Sequence, residues 1–141
     1  MFDGKTKEQL KEALKNMKDN VNLVLFTQEE ECETCSDMNV FLEEITALSD
    51  KLNLEIYDFQ KDKDKADLYN VDKVPVIVLL DNGKKDWGLK FYGIPAGHEI
   101  NAFITSLLEI SGNKKELPGE INERISNIKK DVHLQVFVLA T

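Results

Sequence analysis

The chain has 141 residues, 42% hydrophobic and 31% charged, with 3 prolines and 7 glycines, which fits one globular domain and excludes a disordered or fibrous polymer. Its formal net charge of −8 is a poor basis for holding nucleic acid or an anionic membrane surface. No apolar run approaches the ~18–20 residues that cross a bilayer and the N-terminus has no apolar core of a secretory leader, so the expectation is a soluble, cytoplasmic protein.

The first helix is expected after Thr6, with Gln9 three residues on, and Leu10, Ala13, Leu14 and Met17 share one face. Val21 to Thr27 carries Leu23, Val24, Leu25 and Phe26 in a row. Such a short unbroken apolar run predicts a strand buried on both faces. A second helix is expected from about Glu33 to Asp50, with its stripe at Met38, Phe41, Leu42, Ile45 and Leu48. Leu54 to Phe59 reads as a strand, and the charged stretch from Lys61 to Asp67 as a solvated face leading into a short helix. Val76 to Leu80 and Trp87 to Tyr92 read as two strands joined through Asn82-Gly83, a hairpin signal. A helix is expected over 97–111, another from Pro118 to Lys130, and a last strand over Val132 to Leu139. The first two strands, joined by a helix, should be parallel. The fold class is α/β: a mixed four-stranded sheet with helices on both faces, plus an extra C-terminal helix and strand.

The charge is concentrated. Residues 21–50 hold eight acids (Glu29, Glu30, Glu31, Glu33, Asp37, Glu43, Glu44 and Asp50) and no lysine or arginine. Both cysteines, Cys32 and Cys35, lie in the same window as Cys-Glu-Thr-Cys. Three readings of this motif compete: half of a zinc site, a redox dithiol, or two inert thiols. Zinc needs two further ligands, but there is no third cysteine and the two histidines, His98 and His133, are far apart. The expectation is no metal. The position between a buried strand and a helix start favours the dithiol, because free N–H groups and the helix dipole stabilise a thiolate there. Cys32 would be the nucleophile and Cys35 the resolving thiol. Carboxylates near a thiol favour its neutral form, so Glu31 and Glu33 should raise the Cys32 pKa and favour a reducing dithiol.

Val74-Pro75 precedes the third strand, where a proline fits only as a first residue or on an edge. Together with Cys-x-x-Cys after the first strand and the Asn-Gly hairpin, it resembles the thioredoxin and glutaredoxin fold. That resemblance implies a cis Val74-Pro75 bond facing the dithiol, Val74 pairing with an extended substrate segment, and Pro75 keeping metals away. The block Phe91-Tyr92-Gly93-Ile94-Pro95-Ala96-Gly97-His98-Glu99, followed by Ala102-Phe103, resembles the two-unit glutaredoxin-like protein disulfide oxidoreductases. It is also similar to the N-terminal domain of the flavoprotein component of alkyl hydroperoxide reductase, which usually lacks this first Cys-x-x-Cys.

The resemblance implies a protein disulfide reductase serving cell redox homeostasis. Its redox-active Cys32–Cys35 disulfide would act without a bound cofactor, on disulfide-containing proteins, with electrons from a flavin-containing thioredoxin reductase. The alternatives are a non-catalytic interaction module and a dedicated electron-relay domain for a peroxidase-type enzyme. It also implies a domain over 1–113 and, over 114–141, a linker helix and orphan strand of an incomplete second unit. That strand would need a partner, either an edge of its own sheet or a second chain in a dimer. Glutathione, itself anionic, suits the acidic motif poorly. Thioredoxins carry a buried aspartate where this chain has Phe26, leaving Asp58 as the candidate proton carrier. His98 is expected to cap or orient a helix start.

Overall fold

The computed structural model describes residues 1–138. Its elements are α1 (Gly4–Leu14), β1 (Val21–Thr27), α2 (Cys35–Thr46), β2 (Leu52–Asp58), α3 (Lys63–Leu68), β3 (Val76–Leu80), β4 (Asp86–Tyr92), a single 3₁₀ turn (Gly97–Glu99), α4 (Ile100–Ile110) and α5 (Gly119–Ser126). The strands form one sheet in the order β2-β1-β3-β4. β1 and β2 run parallel, ending with Thr27 opposite Asp58. β3 is antiparallel to both β1 and β4. This is the mixed sheet that the strand and helix order predicts.

β1 is apolar from Leu23 to Phe26, two residues to each face, and the structure buries both faces. Val21, Leu23 and Leu25 join one cluster with Leu10 and Leu14 of α1, Met38, Phe41, Leu42 and Ile45 of α2, and Phe103, Ile104 and Leu107 of α4. Val24 and Phe26 join the other with Ala66 of α3, Val71, Val76, Val78 and Leu80. Helices therefore cover both faces, with α3 alone in the second cluster among the helices described.

Four expectations are corrected. α1 begins earlier, because Asp3 Oδ1 accepts the Thr6 N–H at 2.7 Å; Asp3 is the cap and Thr6 lies inside the helix. α2 begins at Cys35 rather than Glu33, because residues 32–35 close a turn first: the Cys35 N–H donates to the Cys32 carbonyl at 3.5 Å. The hairpin is built on Asp81 rather than on a two-residue Asn-Gly turn. Asp81 Oδ1 accepts the N–H groups of Gly83 and Lys85, each at 2.9 Å, and the left-handed residue is Lys84, φ 61°. The last strand is absent over 132–138, and Leu139 lies outside the described residues. A strand exists only with a partner strand, and this run meets no sheet edge; Val132, Leu134, Val136, Phe137 and Val138 are 53–87% exposed. All of 114–138, α5 included, is exposed.

Five carboxyls sit below their usual range. The Thr6 N–H lowers Asp3, the Lys84 ammonium Glu55, the Lys61 N–H Asp58, and the Lys85 N–H Asp81. The Met1 ammonium, with the Phe2 N–H and Lys7, holds Glu44 at about 2. A depressed carboxyl stabilises the fold above its unfolded pKa of about 4 and loses that contribution as pH falls through the folded value. The urea midpoint, followed by circular dichroism, is therefore expected to hold from pH 7 to about 5 and fall steadily between about 4 and 2. A midpoint unchanged at pH 3 would mean these contacts contribute nothing.

Candidate redox site

β1 ends at Thr27, and residues 28–34 form the loop that leads into α2. Cys32 lies in that loop, half-buried, and Cys35 is the first residue of the helix, 3% exposed. The two are joined by a disulfide with their Cα atoms 5.5 Å apart. Thr34 occupies the cap position of α2 but its side chain makes no capping bond. The amides of the first turn are thus left without a side-chain acceptor at the positive end of the helix dipole. Cys32 is thus the more exposed of the two cysteines and Cys35 the more buried.

The antiparallel register brings a second segment to the same end of the sheet. Phe26 lies opposite Val76, so Val74 and Pro75 stand beside the exit of β1. The Val74–Pro75 peptide is cis, and the Pro75 carbonyl accepts the Gly93 N–H at 3.1 Å. Pro75 is buried and Val74 half-buried. Among the described residues Val74 makes no backbone–backbone hydrogen bond.

Glu29, Glu30, Glu31, Glu33 and Asp37 are all exposed around the dithiol, and Glu31 is left-handed at φ 57°. Lys61 is exposed, as its place on a solvated face predicts, but sequence reading did not foresee its neighbours. Its Nζ stands 4.0 Å from Glu29 Oε1 and 3.5 Å from Asp58 Oδ2. The link arises because parallel pairing sets the end of β2 beside the end of β1; local sequence carries no sign of it. On the other side, the Tyr92 hydroxyl donates to Asp72 Oδ1 at 3.3 Å, and Lys73 Nζ lies 5.0 Å from the Tyr92 ring centroid. Burial first, then Asp72, raises the Tyr92 pKa.

The structure places two further residues that the sequence singles out. Asp58 Oδ1 accepts the Gln60 and Lys61 N–H groups at 2.9 and 2.8 Å. These bonds, the Lys61 N–H first, lower the Asp58 pKa and tie its carboxylate to its own turn. His98 lies exposed in the 3₁₀ turn, and the start of α4 has no side-chain cap. Phe26 is fully buried, with ring centroids 5.6 Å from Tyr57 and 6.2 Å from Tyr69. Tyr57 itself is pushed up to about 12 by donating to Glu55. No group of three or more metal-ligating side chains occurs among the described residues, and no described helix is long and apolar enough to cross a membrane.

Comparison with known proteins agrees with this geometry. The thioredoxin family model matches residues 3–106. The alkyl hydroperoxide reductase protein AhpF of Staphylococcus aureus strain Mu50 is 26% identical over all 141 residues, which cover 25% of that protein. NADH dehydrogenase of Bacillus subtilis strain 168 is 23% identical over the same span and the same share. The chain thus spans about a quarter of the length of the curated relatives it matches. A cysteine-to-alanine mutant of AhpF from Enterococcus faecalis superposes with a TM-score of 0.83 and 28% identity, over 92% of this chain and 62% of that one. A protein disulfide oxidoreductase from Aeropyrum pernix superposes at 0.77 with 25% identity, over 92% of this chain and 57% of that one.

Proposed function

The chain belongs to the thioredoxin family, and from that premise we propose that it is a thiol–disulfide oxidoreductase that reduces protein disulfides. The observation that carries the reading is the Cys32–Cys35 disulfide at the start of α2, with Cys32 half-buried in the loop and Cys35 buried as the first residue of the helix. In the reduced protein the Cys32 thiolate attacks one sulfur of a substrate disulfide. A Cys32–substrate bond forms, the substrate bond breaks, and the departing sulfur takes a proton. Cys35 then gives up its proton and attacks Cys32. The internal disulfide closes and the second substrate thiol leaves, so two electrons have passed to the substrate. Val74 and Pro75 hold the substrate segment against the dithiol by strand-like pairing. A flavoprotein reductase of the thioredoxin-reductase kind, fed by a nicotinamide cofactor, returns the disulfide to the dithiol.

Glu31 and Glu33 disfavour a thiolate at Cys32, which favours the disulfide form and makes the dithiol a reductant. The midpoint potential is therefore expected near or below the ~−270 mV of thioredoxin. Alkylation and mass spectrometry across graded dithiol buffers would measure it. A value near ~−180 mV would reverse the direction to an oxidase or isomerase. No reversible disulfide at any poise would leave the groove as a binding module. The likeness to AhpF favours a second reading, an electron relay dedicated to one peroxidase-type partner. A relay would reduce that partner quickly and generic disulfide peptides slowly.

A further inference from the structure

We propose that the disulfide this site reads is carried on a basic polypeptide surface, with lysine or arginine flanking the reactive cysteine. The proposal rests on the dithiol reading above and adds to it the class of substrate. The dithiol is the site; the carboxylates around it decide what approaches. Glu29, Glu30, Glu31, Glu33 and Asp37 are exposed within five residues of Cys32 on either side. Among the described residues, Lys61 is the one basic side chain within ion-pair distance of these five, and it is shared between Glu29 and Asp58. Glu30, Glu31, Glu33 and Asp37 make no ion pair among the described residues. On the Val74–Pro75 side, Lys73 Nζ stands 3.9 Å from Asp72 Oδ2, and Lys90 Nζ donates to the Asn70 carbonyl at 3.2 Å. Lys61 Nζ lies nearer Asp58, at 3.5 Å, than Glu29, at 4.0 Å, so it leaves the rim's charge largely unmet.

A substrate disulfide in contact with Cys32 brings its own neighbours within the ~8–10 Å over which charges act in ordinary salt. Cationic flanks are drawn in and anionic flanks repelled, and the effect falls on the encounter rate. At low salt a lysine-flanked disulfide peptide is expected to react about 10-fold faster than a glutamine-flanked one, and a glutamate-flanked one slower by a similar factor. The gap should close as salt rises.

The test mixes the reduced chain with three disulfide-bonded peptides, identical except for lysine, glutamine or glutamate beside the cysteines, at low and high salt. Quenched-flow alkylation reads the released thiol. The ratio of lysine-peptide to glutamine-peptide rates within one protein cancels the Cys32 thiolate fraction, which the same carboxylates also affect. The variant Glu29→Gln/Glu30→Gln/Glu31→Gln/Glu33→Gln/Asp37→Asn is run alongside, its fold checked by circular dichroism. A rate order of lysine, glutamine, glutamate that collapses in high salt and in the variant supports the proposal. Equal rates for the three peptides overturn it and leave the dithiol reading standing. An order that persists in the variant also overturns it, since other groups would then select the substrate. No exchange with any peptide and no reversible disulfide overturn the dithiol reading itself, and this proposal with it.

Discussion

Cys32→Ser is expected to lower disulfide exchange about 10³-fold or more, to the level of the buffer thiol alone. A serine hydroxyl does not attack a disulfide at neutral pH, and the remaining cysteine, Cys35, is 3% exposed at the head of α2. Cys35→Ser should behave differently. It keeps the more exposed cysteine but has nothing to resolve the first product, so one equivalent of substrate should remain attached through a mixed disulfide. Intact mass spectrometry after mixing with a disulfide peptide separates the cases. The expected pair is no adduct for Cys32→Ser and a stable adduct for Cys35→Ser. The opposite pair would exchange the two roles, and exchange surviving in both variants would remove the chemistry from this motif.

Phe103→Ala is expected to cost about 3–5 kcal/mol, a large part of the ~5–15 kcal/mol that holds a domain together. Phe103 is fully buried, its ring centroid 5.7 Å from Phe41 on α2 and 5.2 Å from Phe91 on β4. Truncation removes the contact that ties α4 to both the dithiol helix and the far strand, and leaves a cavity the fixed backbone cannot close. Ile125→Ala on α5 is the contrast. That side chain is 51% exposed, so the change should stay within about ±0.5 kcal/mol. Urea unfolding of both variants gives the comparison. Equal losses would mean that α5 is packed in solution.

The central strand and the dithiol are legible in the sequence for the same reason: each is defined by residues adjacent in the chain. Four apolar residues in a row at Leu23–Phe26 can only be buried on two faces, and Cys-x-x-Cys after such a strand stands at a helix start. What local pattern does not carry is anything set by a distant partner. Lys61 is solvent-facing as read, but its approach to Glu29 depends on β2 lying beside β1 and has no local sign. The run at 132–138 has the composition of a strand, yet strand is a property of a pair, and no sheet edge receives it. Asp58 draws attention by its place at a strand end, but two N–H groups of its own turn claim its carboxylate. The Asn-Gly signal marks the hairpin but not its form, because the carboxylate of Asp81, one residue earlier, organises the turn instead.

The position of β1 between β2 and β3, with side chains in both core clusters, also sets a time order on the molecule. Its amide hydrogens can exchange with solvent only when the sheet opens as a whole, so deuterium should enter there last, while the exposed 114–138 segment fills first. The dithiol loop hangs from the slowest-exchanging strand. A thiol reagent should therefore reach reduced Cys32 at the pace of simple encounter, and Cys35 only at the pace of a rare local opening.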